Sequence, residues 1–298
     1  LYVRGEYPES EAAIAGAIAQ ARKDGLLGAN VAGAGFAFDI EVRRGGGAYI
    51  CGEETALFNS IEGKRGEPRS KPPFPAQFGL FGKPTVVNNV ETLVNVLDIV
   101  TEGGAEWAKT GTAGSTGTRL FCLSGHVAKP GLYEVPCGVT VRQAVDLAGG
   151  VAGGRALQAI LLGGAAGTFV GPEALDMPLS FEGARAANAT LGSGVIMVFD
   201  DTADLVDTLS RIAEFFRHES CGQCVPCRVG AVRQHEILES CRGGSLDPPA
   251  LGASSLTLIA ELGQAMRDAS ICGLGQTASS AIESAMANLK VFRPGGAS

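Results

Sequence analysis

Apolar residues recur along this chain in three textures, and each texture predicts a different kind of structure. Over the first hundred residues, short apolar runs alternate with helical spacings. Leu1-Tyr2-Val3 reads as a strand. Ile14, Ile18 and Ala21 then recur at helical intervals within Glu11–Lys23, with Ser10 as the expected N-cap and Gly25 at the helix end. Phe36–Val42 reads as a second strand, and the order β–α–β predicts a parallel pair in an α/β domain. Val86-Val87 reads as a strand end, Asn88-Asn89 as a turn or as helix caps, and Glu91–Val100 as a helix.

The second texture runs from residue 119 to about 200. Arg119–Ser124, Gly131–Val135, Ile160–Leu162 and Val195–Phe199 read as strands and Val141–Ala148 as a short helix, a small α+β module. The third begins at Asp201. Leu205, Val206, Leu209, Ile212, Ala213 and Phe216 form one apolar helical face. With Val229–Leu238, Leu256–Met266 and Ala278–Phe292 they predict a helical bundle. The Gly/Ser/Thr-rich stretch Gly111–Thr118 reads as a linker between the first two textures.

Composition narrows the function. A net charge of −7 without a Lys/Arg run argues against nucleic acid or an anionic membrane as the main partner. No apolar run approaches the ~20 residues of a membrane span. Eight cysteines in 298 residues, half of them in one constellation, suggest metal binding in a reducing compartment. No secretory signal is visible, and the start at Leu1 without an initiator Met marks the chain as an expected fragment.

Cys221, Cys224 and Cys227 lie at i, i+3 and i+6, which suits three corners of a [4Fe-4S] cluster. Cys241 and Cys272 both lie downstream as possible fourth ligands, and the glycines around Cys272 suit a loop folded against a cluster. A zinc site would instead recruit His218 or His235. Cys122 and Cys137 read as small buried hydrophobes, and His126 as a surface or turn residue.

A second constellation is Gly45-Gly46-Gly47-Ala48-Tyr49-Ile50-Cys51-Gly52-Glu53-Glu54. It predicts either close backbone approach to a ligand at a helix N-terminus or an ordinary glycine hinge before a helix with acidic first-turn residues. Lys64–Pro84 reads as an ordered surface loop. Its Phe74, Phe78 and Phe81 either stack on ligand rings or anchor the loop, and Lys71 is placed to meet a phosphate. Gly33-Ala34-Gly35 lacks the third glycine of a dinucleotide fingerprint and reads as a turn.

Tyr49–Leu57, Lys71-Pro72-Pro73-Phe74-Pro75, Gly82-Lys83-Pro84-Thr85, Asn88–Thr92 and the cysteine set together resemble the NADH-oxidising flavoprotein subunit of respiratory complex I and its soluble relatives. The resemblance covers essentially the whole chain. It implies a Rossmann-like FMN domain over residues 1–112, N-terminally incomplete here because the family's glycine-rich FMN loop has no counterpart. It further implies a ubiquitin-like β-grasp module over 117–200 and a helical bundle with a [4Fe-4S] cluster over 201–298. By motif, Tyr49, Gly52, Glu53 and Glu54 resemble one wall of the flavin and nicotinamide pocket. Val87, Asn88, Asn89 and Thr92 resemble the wall opposite, around FMN. Glu54, Lys71 and Phe74 resemble NAD contacts, and Cys272 is favoured as the fourth ligand after Cys221, Cys224 and Cys227.

The implied activity exchanges a hydride between NAD(H) and FMN and passes single electrons through the cluster, with no catalytic side chain beyond the flavin. The implied partners are a small thioredoxin-like [2Fe-2S] subunit and a larger iron-sulfur or catalytic subunit, in the cytoplasm and without membrane insertion. The Cys272–Ala278 ending points to a soluble formate dehydrogenase. A hydrogenase subunit, a complex I subunit and a non-catalytic electron relay are the alternatives.

Overall fold

The computed structural model of the chain describes residues 1–242 and 250–295. Gly243-Gly244 after Cys241 and the end of the expected bundle beyond residue 295 lie outside the described residues. The chain divides into two compact units, Leu1–Val87 and Asn88–Ser298.

The first unit contains β1 (Tyr2–Val3), α1 (Pro8–Lys23), β2 (Arg43–Arg44) and α2 (Glu54–Ile61), with 3₁₀ turns at Val31–Gly33, Tyr49–Gly52 and Leu80–Gly82. β1 and β2 are parallel, with Tyr2 opposite Arg43 and Val3 opposite Arg44, as the β–α–β order requires. The pairing falls later than Phe36–Val42. Phe38 makes only an isolated antiparallel bridge to Gly28, and the ladder is limited by a β1 that turns away after two residues. Among the described residues this unit therefore carries one parallel pair rather than a Rossmann-like sheet, which needs several parallel strands.

Helix α1 starts before Ser10, because Pro8 supplies the fixed φ that suits a first helical position and Tyr7 is the N-cap. Gly33-Ala34-Gly35 is a turn, with the Gly35 N–H donating to Asn30 Oδ1 at 2.8 Å. Val86 and Val87 form no strand and are exposed. Gly45 lies under the Tyr2 ring, where a Cβ would come within 2.8 Å of Tyr2 Cζ. The Tyr2 hydroxyl is 2.9 Å from Ser60 Oγ of α2. That glycine serves internal packing.

The second unit opens with α3 (Val90–Glu102) and α4 (Gly104–Trp107). No residue of α3 is buried, although its sequence is largely apolar. A mixed sheet follows from β3 (Thr118–Gly125), β4 (Gly131–Pro136), β5 (Leu157–Leu162), β6 (Thr168–Val170) and β7 (Val195–Asp200), with α5 (Val141–Leu147) and α6 (Phe181–Ala186). The strand order is β4-β3-β7-β5-β6, and β3 and β7 are the parallel pair. The first and last strands of the sheet are thus its central parallel pair.

Alternation along the strands sends Phe121, Leu123, Ile160, Leu162, Ile196 and Val198 into one core with Val141 and Val145 of α5. Cys122 falls on the opposite alternation and is exposed, so only Cys137 is the buried hydrophobe expected of both. The Gly111–Thr118 stretch is not a free linker. Glu182 accepts hydrogen bonds from the Thr112 hydroxyl and, at 2.6 Å, from that of buried Ser115.

Helices α7 (Leu205–Glu219), α8 (Val225–Cys241), α9 (Ala253–Ala269), α10 (Gly273–Thr277) and α11 (Ser280–Ser284) make the bundle, with a short parallel pair of β8 (Ala250–Gly252) and β9 (Arg293–Gly295). All six residues of the apolar face expected of α7 are buried. The helix expected over Ala278–Phe292 runs without a gap from Ser280 to Leu289, changing from α11 to a π turn at Ala285–Leu289, and Lys290 ends it in the left-handed region. Bundle and sheet are tied together: the Phe169 N–H donates to Ser284 Oγ at 2.9 Å, and Asn288 Nδ2 donates to the Phe169 carbonyl at 2.8 Å. Among the described residues no helix is long and apolar enough to cross a membrane.

Candidate functional site

The cysteine set lies where two helices end and two begin. Ser220 is the C-cap of α7, followed by Cys221, and Cys224 is the N-cap of α8. Ser270 is the C-cap of α9, and Cys272 is the N-cap of α10. Cys227 sits in the first turn of α8, where amide N–H groups lack helical partners and favour negative charge. The loop between Cys221 and Cys224 is pinned by Arg228, whose Nη1 donates to the Gly222 carbonyl at 2.7 Å.

Cys227 is buried, and Cys221, Cys224 and Cys272 are partly so. Burial first, and then the nearby thiols of Cys224, Cys272 and Cys221, push the Cys227 thiol up to about 11, against a lowering by the Ser220 hydroxyl. The charges of the other three sulfurs therefore all act on Cys227. Among the described residues no group of His, Cys, Asp or Glu is gathered tightly enough for a single ion. Four cysteines whose charges disfavour one another, gathered around a buried Cys227, need a compensating cationic centre to be held as thiolates, and they fit an iron-sulfur cluster by the chemistry of the donor set.

The alternative ligands lie elsewhere. Cys241 is buried at the far end of α8, with its thiol donating to the Ile237 carbonyl at 3.5 Å. His235 Nδ1 lies 3.2 Å from Arg217 Nη1, and its Nε2 lies 3.7 Å from Glu239 Oε1. His218 is exposed in the last turn of α7.

In the first unit the 3₁₀ turn Tyr49–Gly52 delivers the chain to α2, and Glu53 is its N-cap. Glu53 Oε2 accepts from the N–H groups of Thr55 (2.8 Å) and Ala56 (3.0 Å) and from the Thr55 hydroxyl. Lys71 Nζ spans the two acids, 3.1 Å from Glu53 Oε1 and 2.5 Å from Glu54 Oε1. Burial alone would raise the Glu53 carboxyl, but Thr55, Ala56 and Lys71 hold it below its ordinary value. Partial burial alone would lower Lys71, but Glu54 and Glu53 hold it above its ordinary value. Glu53 is thus committed to the helix, while Glu54 and Lys71 present a compensated, partly exposed charge pair. Tyr49, Gly52 and Phe74 are exposed.

Two residues outside every motif order the Lys64–Pro84 loop. Arg69 donates from Nε to Asn59 Oδ1 (2.9 Å) and from Nη1 to the Gly79 carbonyl (3.2 Å), and pairs with Glu62 at 2.8 Å. Glu62 also takes Lys64 and the Phe81 N–H. Lys64 and Arg69 together draw its carboxyl down to about 2. Phe74, Phe78 and Phe81 are each more than half exposed, so they do not anchor the loop in a core.

The Arg69→Ala variant is expected to lose about 2–3 kcal/mol of stability, measured by urea unfolding, and to be cleaved faster within 70–82. The Glu62 contribution should be complete above its unfolded value near ~4.3 and disappear as pH falls from there toward about 2. Loop proteolysis at pH 5 and pH 3 checks the sign.

In the second unit Asn89 is the N-cap of α3, its Oδ1 accepting from the Glu91 N–H at 2.8 Å. The cap accounts for one of the paired asparagines. Asn88 and Thr92 are exposed. A half-open cleft of about 660 Å³ lies between the sheet and α7, lined by His126, Met197, Phe199 and Arg211 among others. His126 pairs with buried Asp200 at 2.8 Å, and Arg211 with Asp207 at 2.7 Å. No motif marks either pair, since they join residues distant in sequence or lie on an ordinary helix face.

Three family models match the chain: the Nuo51 FMN-binding domain over residues 1–98, the SLBB domain over 120–167, and the NADH-ubiquinone oxidoreductase-F iron-sulfur binding region over 207–293. The NADH-quinone oxidoreductase F-subunit of Mycobacterium tuberculosis is 42% identical over 98% of this chain and 64% of its own length. The second such F-subunit of Rhizobium meliloti is 42% identical over 98% of this chain and 68% of its own. The HndC subunit of the NADP-reducing hydrogenase of Solidesulfovibrio fructosivorans is 42% identical over 96% and 58%. The crystal structure of an NAD+-reducing [NiFe]-hydrogenase in the H2-reduced state superposes with a TM-score of 0.86 at 39% identity, over 99% of this chain and 49% of that one. The chain spans 58–68% of these curated relatives.

Proposed function

The chain belongs to the NADH-quinone oxidoreductase F-subunit family, and from that premise we propose that it is part of an NADH-oxidising flavoprotein subunit that delivers single electrons to partner proteins. The observation that carries this reading is the junction of four helix ends at Cys221, Cys224, Cys227 and Cys272, in a chain that also carries the Glu53–Glu54–Lys71 constellation. Bound FMN would supply hydride acceptance, and a bound [4Fe-4S] cluster would supply single-electron transfer.

The protein's own groups orient and balance charge. In this reading Glu53 fixes the start of α2, so that Tyr49 and Gly52 are held on the turn before it. Glu54 and Lys71 meet the nicotinamide nucleotide, with the exposed Phe74 ring stacking on it. Val87, Asn88, Asn89 and Thr92 border FMN. Cys224, Cys227 and Cys272 at the starts of α8 and α10, with Cys221 in the loop before α8, would hold a negatively charged cluster where the backbone N–H groups of α8 support it. Val225, Val229 and Ile271 are exposed apolar residues within two positions of cysteine ligands, and they suit docking of an electron-accepting subunit.

Domains over 1–112, 117–200 and 201–298 and a cytoplasmic setting complete the proposal. The named relatives are linked to quinone or to hydrogen, so the reading is a complex I-like or hydrogenase-linked subunit rather than a formate dehydrogenase in particular. Anaerobic addition of NADH to the whole protein tests it. Bleaching of a flavin spectrum in a preparation that contains iron and sulfide supports the reading, and a preparation holding zinc without iron or flavin rejects it.

A further inference from the structure

Two serines cap helices beside the same cysteine, and only one of their hydroxyls meets its sulfur. Ser220 Oγ lies 3.3 Å from Cys227 Sγ and accepts from the Gly222 N–H at 3.3 Å. With that lone pair engaged, the hydroxyl proton is free to point at sulfur. Ser270 is 6% exposed, and its Oγ has no hydrogen-bond partner. Its backbone is fully used: the N–H donates to Met266 at 3.2 Å and the carbonyl accepts from Gln276 Nε2 at 3.0 Å.

The Ser270 side chain shares its space with Cys227. A Cβ built on Gly275 would overlap Ser270 Oγ and sit 2.8 Å from Cys227 Cβ. Only a glycine lets both side chains close over that backbone. A buried hydroxyl left unpaired is costly, so an unpaired one at this junction points to an acceptor that arrives with the bound group.

We infer that the Ser220 and Ser270 hydroxyls donate hydrogen bonds to sulfur at the Cys227 corner of the cluster and raise its reduction potential. This rests on the proposed [4Fe-4S] cluster. Reduction adds one negative charge spread over the sulfurs. Donors aimed at sulfur stabilise the reduced form more than the oxidised one, so they favour electron uptake. Neither serine is a ligand, and both act through the charge on sulfur.

The test uses the full-length protein in its native complex, with Ser220→Ala, Ser270→Ala and Ser270→Thr. Iron and sulfide are assayed first, and cluster reduction is then followed by electron paramagnetic resonance at controlled potentials. Each alanine variant is expected to keep its iron and sulfide while its reduction equilibrium constant falls about three- to tenfold, tenfold being about 59 mV for one electron. Ser270→Thr, which restores the hydroxyl, should restore the potential. Where Ser270→Ala fails to hold its cluster, Ser220→Ala and Ser270→Thr decide the outcome. Alanine variants with full clusters and unchanged potentials overturn the inference alone. A wild-type protein without iron and sulfide overturns the functional reading beneath it, and the metal assay reveals that before any titration.

Discussion

Exchanging Cys272 for serine is expected to strip the protein of its iron and sulfide, while Cys241→Ser keeps both at the wild-type level. Spacing from Cys221, Cys224 and Cys227 does not separate the two cysteines. They differ in place. Cys272 opens α10 directly after the Ser270 C-cap and Ile271, and its charge acts on the Cys227 thiol. Cys241 closes α8, sixteen residues past its N-terminus at Val225, and is satisfied by the Ile237 carbonyl. Loss of a ligand should cut reduction of one-electron acceptors at least about 100-fold. The loss at Cys241 should be limited to packing, about 1 kcal/mol. Iron and sulfide analysis of the two purified variants, with an unfolding curve for each, is sufficient. Equal iron loss from both would remove Cys272 from its assigned position.

Removing the Lys71 ammonium is expected to raise the KM for NADH about tenfold with little change in kcat. Lys71 lies between the Glu53 and Glu54 carboxylates, and in the proposed site its loss would leave Glu54 without its cation and Glu53 balanced only by the start of α2, both facing a dinucleotide that is itself anionic. At an effective dielectric near 20 the raw interaction of such charges is a few kcal/mol. Partial exposure of all three side chains reduces it, and about 1.4 kcal/mol corresponds to the tenfold change. Adding Glu54→Gln to Lys71→Ala should recover much of the affinity, because one of the two charges is then gone. Glu54→Gln alone should raise the flavin potential, since a negative charge that opposes the reduced anionic flavin is removed. Steady-state kinetics of the single and double variants, with a flavin redox titration, separate these effects. Unchanged affinity and unchanged flavin potential in Glu54→Gln would take Glu54 out of the site.

The elements most legible in the sequence are those with a long period or a steep alternation. The apolar face of α7 and the strands of the mixed sheet carry signals that packing reinforces. Phe36–Val42 has a strand-like composition with no partner long enough to pair with, since β1 is only Tyr2–Val3. The last helix is shorter than its pattern predicts, because apolar spacing runs on through Ala278–Phe292 while Lys290 enters the left-handed region and ends the helix after the π turn.

In the candidate site the cysteine spacing and the acidic helix start are read directly. The division of labour between Glu53 and Glu54 is not, because it depends on which carboxylate reaches the Thr55 and Ala56 N–H groups and on Lys71, which is 17 residues from Glu54 in sequence. Arg69, Glu62, Ser220 and Ser270 are common residue types outside any motif. Their importance arises from what folding places beside them.

Electron paramagnetic resonance of the whole protein, frozen anaerobically after NADH is added, tests the central claim most directly. The account predicts that the flavin bands bleach and that the signal of a reduced four-iron cluster develops in the same sample, and that it is lost in Cys272→Ser but not in Cys241→Ser. Flavin bleaching with the wild-type cluster still oxidised, under conditions where dithionite reduces it, would contradict the account.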